Sequence, residues 1–177
     1  MKKYTIIFNL VAFLASILMS CSGNSEKAGS VHTSDTTAVS QNSNPEFKEL
    51  NAKSVYADYI DLKGALLKSD ANDAKTRAAT LKTSLSAAGN AKGADLALQI
   101  SNSSDIKVQR NIFDGLTTEV ETIIRSSGIK SGIVYKQYCP MAKDGEGAYW
   151  LASESEIKNP YYGDEMLSCG EIKEEIK

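Results

Sequence analysis

The sequence predicts a mainly α-helical fold: an up-and-down helical bundle with a C-terminal β-hairpin and an irregular tail. Apolar residues recur every three or four positions in four segments between residues 45 and 128, which is typical of amphipathic helices. Short polar breaks separate these segments, and short connections favour antiparallel neighbouring helices. After residue 132 the pattern changes to β-branched and aromatic residues that partly alternate, which indicates strands.

The first helix is predicted to start at Asn44-Pro45, as an N-cap followed by a proline in the first turn, and to end near Ser69. The second helix is alanine-rich, with Ser69 or Asp70 as its cap, and it stops at Gly89-Asn90. Both helices carry an apolar stripe, formed in the first by Phe47, Leu50, Val55, Tyr59, Leu62 and Leu66 and in the second by Ala74, Ala78, Leu81, Leu85 and Ala88.

A shorter third helix is predicted over residues 92–100, and a break at residues 102–104 follows it. The fourth helix has the strongest periodicity, with Ser104 as its predicted cap and Ser127-Gly128 as its end. Residues 133–139 and 148–151 then read as two strands of a hairpin around the turn at 144–147. Turns at Asn159-Pro160 and Gly163 lead to a charged tail.

The first 44 residues are not expected to belong to this domain. Residues 1–20 begin with two lysines and contain an apolar run shorter than the roughly 20 residues of a spanning helix, which is typical of a cleaved signal peptide. The ending Leu18-Met19-Ser20-Cys21 resembles the lipobox of bacterial lipoproteins, and this resemblance implies that Cys21 is a lipid anchor. The alternative is an ordinary secreted protein in which Cys21 is a spare thiol.

The segment 21–44 reads as a flexible tether, because it has no aromatic residue, no Leu and no Ile with which to form a core. Its expected end-to-end distance is about 25 Å, enough to hold a domain clear of a bilayer. The only histidine, His32, lies in this tether, and we assign it no role. Residues 45–177 are therefore expected to form one domain, held at the envelope through Cys21 on the periplasmic side or at the outer membrane.

Charge and composition exclude several classes of function. The net charge of −2 and the pI near 5.5 give no electrostatic attraction to a phosphate backbone, so we expect no nucleic-acid partner. A single histidine removes most serine-triad and zinc-water sites. The C-terminal carboxylates lie in segments that would be polar in any case, and we do not expect an enzyme; these carboxylates are Asp144, Glu146, Glu154, Glu156, Asp164 and Glu165.

Four sulfur-containing side chains lie in the C-terminal third, as Cys139-x-Met141 and Met166-x-x-Cys169. Thiolate and thioether sulfur favour Cu(I) or Ag(I) over hard cations. Pro140 stiffens the first pair, and the spacing of the second places both side chains on one face of a turn. The four residues are therefore candidate metal ligands, although methionine is also a common core filler.

Four motifs in the same region carry a resemblance to a known family. They read YCPMA at 138–142, GAYWL at 147–151, IKNPYYG at 157–163 and MLSCG at 166–170. They resemble a bacterial envelope family, the domain of unknown function 3347, and the likeness extends upstream through Tyr59–Asp70 and Asp105–Phe113. The family occurs as small lipoproteins and as a module on periplasmic adaptors of heavy-metal efflux pumps. The resemblance implies a copper-handling role, with Cys139, Met141, Met166 and Cys169 as ligands and an efflux adaptor or pump as the partner.

Two other interpretations remain open at this point. Two cysteines in an exported domain often form a disulfide, which would stabilise the fold by roughly 3 to 4 kcal/mol. A disulfide-stapled protein could then use aromatic side chains to meet a protein or a glycan, although such a cluster more often packs the hairpin on the bundle. These aromatic residues are Tyr135, Tyr138, Tyr149, Trp150, Tyr161 and Tyr162.

Overall fold

The structure is a computed structural model, and it describes residues 44–177. The predicted signal peptide, the Cys21 anchor, His32 and the tether up to residue 43 lie outside the described residues. The described elements are four long helices followed by a small antiparallel sheet, so the predicted fold class is confirmed. Within residues 44–177 no helix combines the length and the apolar character that crossing a bilayer requires.

The four predicted helices are present as α1 (Leu50–Leu67), α2 (Ala71–Ala87), α3 (Ala91–Asn102) and α4 (Ile106–Ser127). Consecutive helices pack against each other, and α1 also contacts α4, which closes the bundle. The predicted cap of α2 is confirmed, because the Asp70 carboxylate accepts hydrogen bonds from the backbone N–H groups of the first turn.

The predicted start of the first helix is wrong. Asn44 and Pro45 precede a short strand, β1 (Glu46–Phe47), which pairs with β2 (Ile129–Ser131), and the helix begins only at Leu50. The extended backbone brings Phe47 into the core, where its ring lies 5.1 Å from that of Tyr56. Pairing with a segment more than 80 residues away thus overrides the local helix-start signal.

The cap of α4 is one residue later than predicted. Asp105, not Ser104, has the extended backbone of an N-cap, and its carboxylate accepts a hydrogen bond from the Lys107 N–H at 2.8 Å. A carboxylate at this position also interacts favourably with the positive end of the helix dipole. The hydroxyl of Ser103 accepts a hydrogen bond from the Asp105 N–H and supports this turn.

The predicted hairpin is confirmed as β3 (Val134–Cys139) and β4 (Ala148–Ala152), joined through a four-residue helical turn, α5 (Ala142–Gly145). The charged tail is not irregular: it forms β5 (Glu171–Ile176), which pairs antiparallel with the other side of β3. Five of the six β5 residues are exposed, so the tail lacks the apolar alternation by which a strand is recognised. A short 3-10 turn at Gly163–Glu165 precedes it.

Buried aromatic rings join the bundle to the sheet. Tyr59 of α1 stacks on Phe113 of α4 at 5.0 Å, and Tyr161 lies about equally far from the rings of Phe113 and Trp150, at 6.1 and 6.2 Å. The Tyr59 hydroxyl accepts a hydrogen bond from the Leu151 N–H in β4 and bonds with the Thr117 hydroxyl at 2.8 Å. The packing role favoured for the aromatic cluster therefore holds for Trp150 and Tyr161, which are buried.

One ion pair is buried at the junction between α1 and the end of the hairpin. The ammonium of Lys63 is 2.8 Å from the carboxylate of Glu154, and only 3% of the Lys63 side chain is exposed. Burial lowers the pKa of Lys63, and the Glu154 charge opposes this shift. Removal of one partner would leave the other charge uncompensated in the interior, which costs more stability than replacing both partners by apolar groups.

We predict unequal effects for the two halves of this pair. Glu154→Gln is expected to lower the free energy of unfolding by about 3 kcal/mol, because it leaves the buried Lys63 ammonium unpaired. Lys63→Met should cost less, because the Glu154 side chain that it leaves unpaired is 23% exposed. Urea denaturation of both variants measures this difference. Glu156→Gln is the control, since the Glu156–Lys158 pair is exposed and should contribute less than about 1 kcal/mol. Equal losses in Glu154→Gln and Glu156→Gln would contradict the prediction.

Candidate thiol site on the C-terminal sheet

Cys139 is the last residue of β3, where it pairs with Ala148 of β4 and is fully buried. Pairing with β4 therefore fixes the backbone of this cysteine on one side. Pro140 ends the strand, because it has no N–H to continue the ladder. Pro140 itself lies in the turn that follows β3.

Cys169 lies on the segment that enters β5, and a buried asparagine holds it there. The Asn159 side-chain amide donates a hydrogen bond to the Cys169 carbonyl at 3.0 Å. The Asn159 side-chain oxygen accepts a hydrogen bond from the Tyr161 N–H. The backbone N–H of Asn159 donates a hydrogen bond to the Leu167 carbonyl. Because Asn159 is fully buried and uses both ends of its amide, it positions the whole turn between residues 159 and 169.

Gly170 lets this segment approach the sheet closely. Its φ is +146°, and an added Cβ would lie 2.8 Å from Trp150 Cη2 and 2.9 Å from the Tyr138 carbonyl oxygen. Both neighbours are part of packed strands and cannot move freely. The glycine therefore permits the approach of Cys169 to Cys139.

The two sulfurs are 2.8 Å apart, and both cysteines are free thiols in this structure. Cys139 is buried and Cys169 is partly exposed, so the pair is reached from the Cys169 side. The hydrogen bond with Cys139 raises the pKa of Cys169 above its ordinary value, and desolvation adds to this shift. Cys169 is therefore held in its protonated form at neutral pH.

The two candidate methionine ligands lie close to the cysteines in the chain, one in each half of the site. Met141 lies two residues after Cys139 with 52% of its surface exposed. Met166 is partly buried, and its carbonyl accepts a hydrogen bond from the Cys169 N–H at 3.0 Å. Within residues 44–177 neither thioether is hydrogen-bonded to a thiol, so the structure brings together two of the four predicted sulfurs.

Tyr162 connects the two halves of the site, and the sequence analysis assigned it only to an aromatic cluster. Its hydroxyl donates a hydrogen bond to the Met141 carbonyl, which ties the turn after Cys139 to the segment before Cys169. Burial raises the pKa of Tyr162, and the charges of Cys139 and Cys169 would raise it further. The hydroxyl therefore keeps its proton for this bond.

A buried hydrogen bond beneath the site also escaped prediction. The indole N–H of Trp150 donates to the side-chain oxygen of Gln137 at 2.6 Å, and the Gln137 amide donates to the carbonyls of Glu154 and Glu156. These bonds satisfy a polar side chain with no exposed surface. The alternation of β3 places Gln137 in the interior, but nothing in the sequence indicates that its side chain bonds to Trp150.

An aromatic pair remains on the outer face of the sheet. The rings of Tyr138 and Tyr149 are 4.6 Å apart, and 39% of Tyr149 is exposed. The ammonium of Lys136 lies over the Tyr149 ring and that of Lys173 over the Tyr138 ring, at 4.7 and 5.4 Å. The exposed ring faces are thus covered by lysines in cation–π contacts.

No group of three or more His, Cys, Asp or Glu side chains in the described part of the chain is arranged to hold a metal ion. The donor set at Cys139 and Cys169 consists of two thiols with thioethers nearby in the chain. Such donors fit a soft monovalent cation and not zinc or a hard ion.

Comparison with known proteins gives one match. Residues 55–132 match a family model described as Protein of unknown function (DUF3347). The matched range covers most of the helical bundle and ends before Cys139, so it does not include the thiol pair. No curated protein matches the chain, and no solved structure matches it.

We predict that Gly170→Ala separates the thiols. The added methyl group meets Trp150 and the β3 backbone, so we expect a loss of about 2 kcal/mol in stability and a lower yield of the Cys139–Cys169 disulfide in a fixed glutathione buffer. Thermal unfolding and thiol alkylation with mass spectrometry measure the two effects.

Gly89→Ala is the matched control for this variant. Gly89 also has a positive φ, of +75°, but no atom lies within 4 Å of a Cβ built there. Gly89→Ala should therefore lower stability through backbone strain alone and leave the disulfide yield at the wild-type level. A wild-type yield in Gly170→Ala would show that close approach at Gly170 does not set the thiol geometry.

Proposed function

Since the chain belongs over residues 55–132 to the DUF3347 family, we propose that it is a lipid-anchored envelope protein that binds Cu(I) or Ag(I) through sulfur. Cys139 and Cys169 are the primary ligands in this proposal, and Met141 and Met166 complete the site. The anchor would be Cys21, at the periplasmic side or the outer membrane. The bound ion would be passed to, or withheld from, a heavy-metal efflux system.

The observation that carries this proposal is the 2.8 Å separation of two free thiols. Two thiolates that share one ion lie roughly 4 Å apart when each metal–sulfur bond is about 2.3 Å. The pair therefore has to open by about 1 Å to admit an ion. Cys169 lies on a turn outside the strand ladder, so it is the side of the pair that can make this small movement.

The positions of the methionines suit them as exchangeable ligands. Met141 is half exposed and follows Cys139 by two residues, while Met166 lies in the same turn as Cys169. Thioethers are uncharged and bind soft ions without losing a proton. A site with one thiol fixed on a strand, one thiol on a turn and two adjustable thioethers supports capture and release of an ion, and we propose binding and transfer instead of catalysis.

The same distance also favours a second function, that of a disulfide-stapled structural or interaction protein. A disulfide needs the sulfurs at about 2.05 Å, which is closer to 2.8 Å than the separation of a metal-bridging pair. In that case the surface at Tyr138 and Tyr149 would meet a protein or glycan partner. A stacking ligand would have to displace Lys136 and Lys173 from the ring faces, which makes this surface a weaker candidate than the thiol pair.

We predict one Cu(I) per reduced protein, in a titration against a colorimetric Cu(I) chelator. Cys139→Ser and Cys169→Ser are each expected to abolish binding, because each removes one of the two charged ligands. Met141→Leu and Met166→Leu keep the side-chain size and remove the thioether, so each should weaken binding by about tenfold.

Ser168→Ala is the matched control, since it changes an exposed neighbour of Cys169 without removing sulfur. Wild-type affinity in the cysteine variants would contradict the metal proposal. Thiol counting on protein taken from its native compartment tests the alternative. A complete Cys139–Cys169 disulfide there that resists cellular reductants would favour the structural function.

The proposal also predicts a steep pH dependence of Cu(I) affinity. Both thiols must lose a proton to bind, so apparent affinity should rise by up to about 100-fold per pH unit below the thiol pKa values. Because the pKa of Cys169 is raised in the folded protein, this rise should continue above the pH at which an ordinary cysteine, with a pKa near 8.5, has already ionised. Chelator competition at several pH values measures it, and a flat profile would contradict thiolate ligation.

A further inference from the structure

A cavity of about 440 Å³ lies between the first turns of α4 and the two segments that follow β3 and precede β5. Its volume is in the range of small-molecule sites. Neither cysteine lines it. Its lining includes Lys107, Arg110, Asp144, Tyr161, Tyr162 and Glu165.

The α4 wall of this cavity is positively charged. Arg110 is half-buried, and it donates hydrogen bonds only to neutral oxygens: the carbonyls of Pro160 at 2.7 Å and Leu66 at 2.9 Å, and the Ser69 hydroxyl at 2.9 Å. Among residues 44–177 no carboxylate pairs with Arg110, and its Nη1 group makes no hydrogen bond. Lys107, one turn earlier, is exposed and also has no ion-pair partner in that range.

The N-terminus of α4 lies at this wall, because the helix begins at Ile106, which also lines the cavity. The Asp105 carboxylate already caps this end, so the positive charge of the wall comes from Arg110 and Lys107. Arg110 and Lys107 are three residues apart, so they project from the same face of the helix.

The facing wall is negatively charged. Asp144 comes from the turn after β3, and Glu165 comes from the 3-10 turn. Both are exposed, and neither forms an ion pair with another described residue. Lys143 also lines the cavity, but its ammonium is neutralised by Asp114 at 3.0 Å and Glu146 at 3.4 Å.

The two walls thus carry opposite charges that are not in contact with each other. The Glu165 charge raises the pKa of Arg110 at longer range, while burial lowers it more strongly. A simple anion in the cavity would face two carboxylates, and a simple cation would face Arg110 and Lys107. Only a ligand that carries both signs would be attracted by both walls.

We propose that this cavity binds a small zwitterion, with the carboxylate and the ammonium of an amino acid or short peptide. The carboxylate would meet the open Nη1 of Arg110 and the ammonium of Lys107. The ligand's ammonium would lie toward Asp144 and Glu165, with the Tyr161 and Tyr162 rings as the apolar wall. The proposal does not depend on metal binding, because no proposed metal ligand lines the cavity.

The test is calorimetric titration of the full-length chain in detergent with the dipeptide alanylalanine. Two capped forms serve as probes: the N-acetyl form lacks the ammonium, and the C-terminal amide lacks the carboxylate. Each capped form is expected to bind at least about tenfold more weakly than the free dipeptide. No binding of the free dipeptide at millimolar concentration, or equal binding of either capped form, would overturn the proposal.

Charge reversal on each wall identifies the contacts without disturbing the Arg110 hydrogen bonds. Lys107→Glu and Glu165→Lys change exposed residues, so both variants should fold, and each should weaken binding about fivefold. The effect of Glu165→Lys should disappear with the N-acetyl probe, which has no ammonium to contact. Lys82→Glu, on α2 and outside the cavity lining, is the control. Unchanged affinity in both wall variants would also overturn the proposal.

Discussion

The hydroxyl of Tyr59 is the contact on which the arrangement of this domain depends. It belongs to α1, forms a hydrogen bond with the Thr117 hydroxyl of α4 and accepts a hydrogen bond from the Leu151 N–H in β4. Three elements that are distant in sequence therefore meet at one buried oxygen, and the ring beneath it stacks on Phe113. Burial raises the pKa of Tyr59 far above its ordinary value, so the group stays neutral and both hydrogen bonds are retained over the whole physiological pH range.

The thiol pair is built on this junction by a second, smaller network. Trp150 follows Tyr149 and precedes Leu151 in β4, so the strand that Tyr59 holds also carries the ring against which Gly170 packs. Asn159 then fixes the segment that brings Cys169 back to β3. The bundle that the family match covers thus supports the sheet, while the sulfur chemistry lies on a separate segment of about 30 residues. A change in either network would alter the distance between the thiols without touching a sulfur atom.

The sequence predicted those features whose cause is local. The four helices follow from apolar periodicity, and the cap at Asp70 follows from side-chain chemistry next to the helix it caps. The strand at Glu46–Phe47 was missed because it exists only through pairing with Ile129–Ser131. β5 was missed because it is an outer strand whose charged side chains face solvent, so it shows no apolar pattern. The cysteines were identified by residue type, but their contact depends on Asn159, whose role becomes visible only when the turn around it is folded.

The composition of β5 also has a consequence for crowding. An outer strand exposes unpaired backbone groups that can recruit the strand of a neighbouring molecule. Here Lys173 and Lys177 pair with Glu171 and Glu175 along the strand, so any incoming chain would have to desolvate a row of charges. Copies of this domain at high local concentration would therefore resist fusing into a continuous intermolecular sheet, and crowding would not lead to aggregation through this edge.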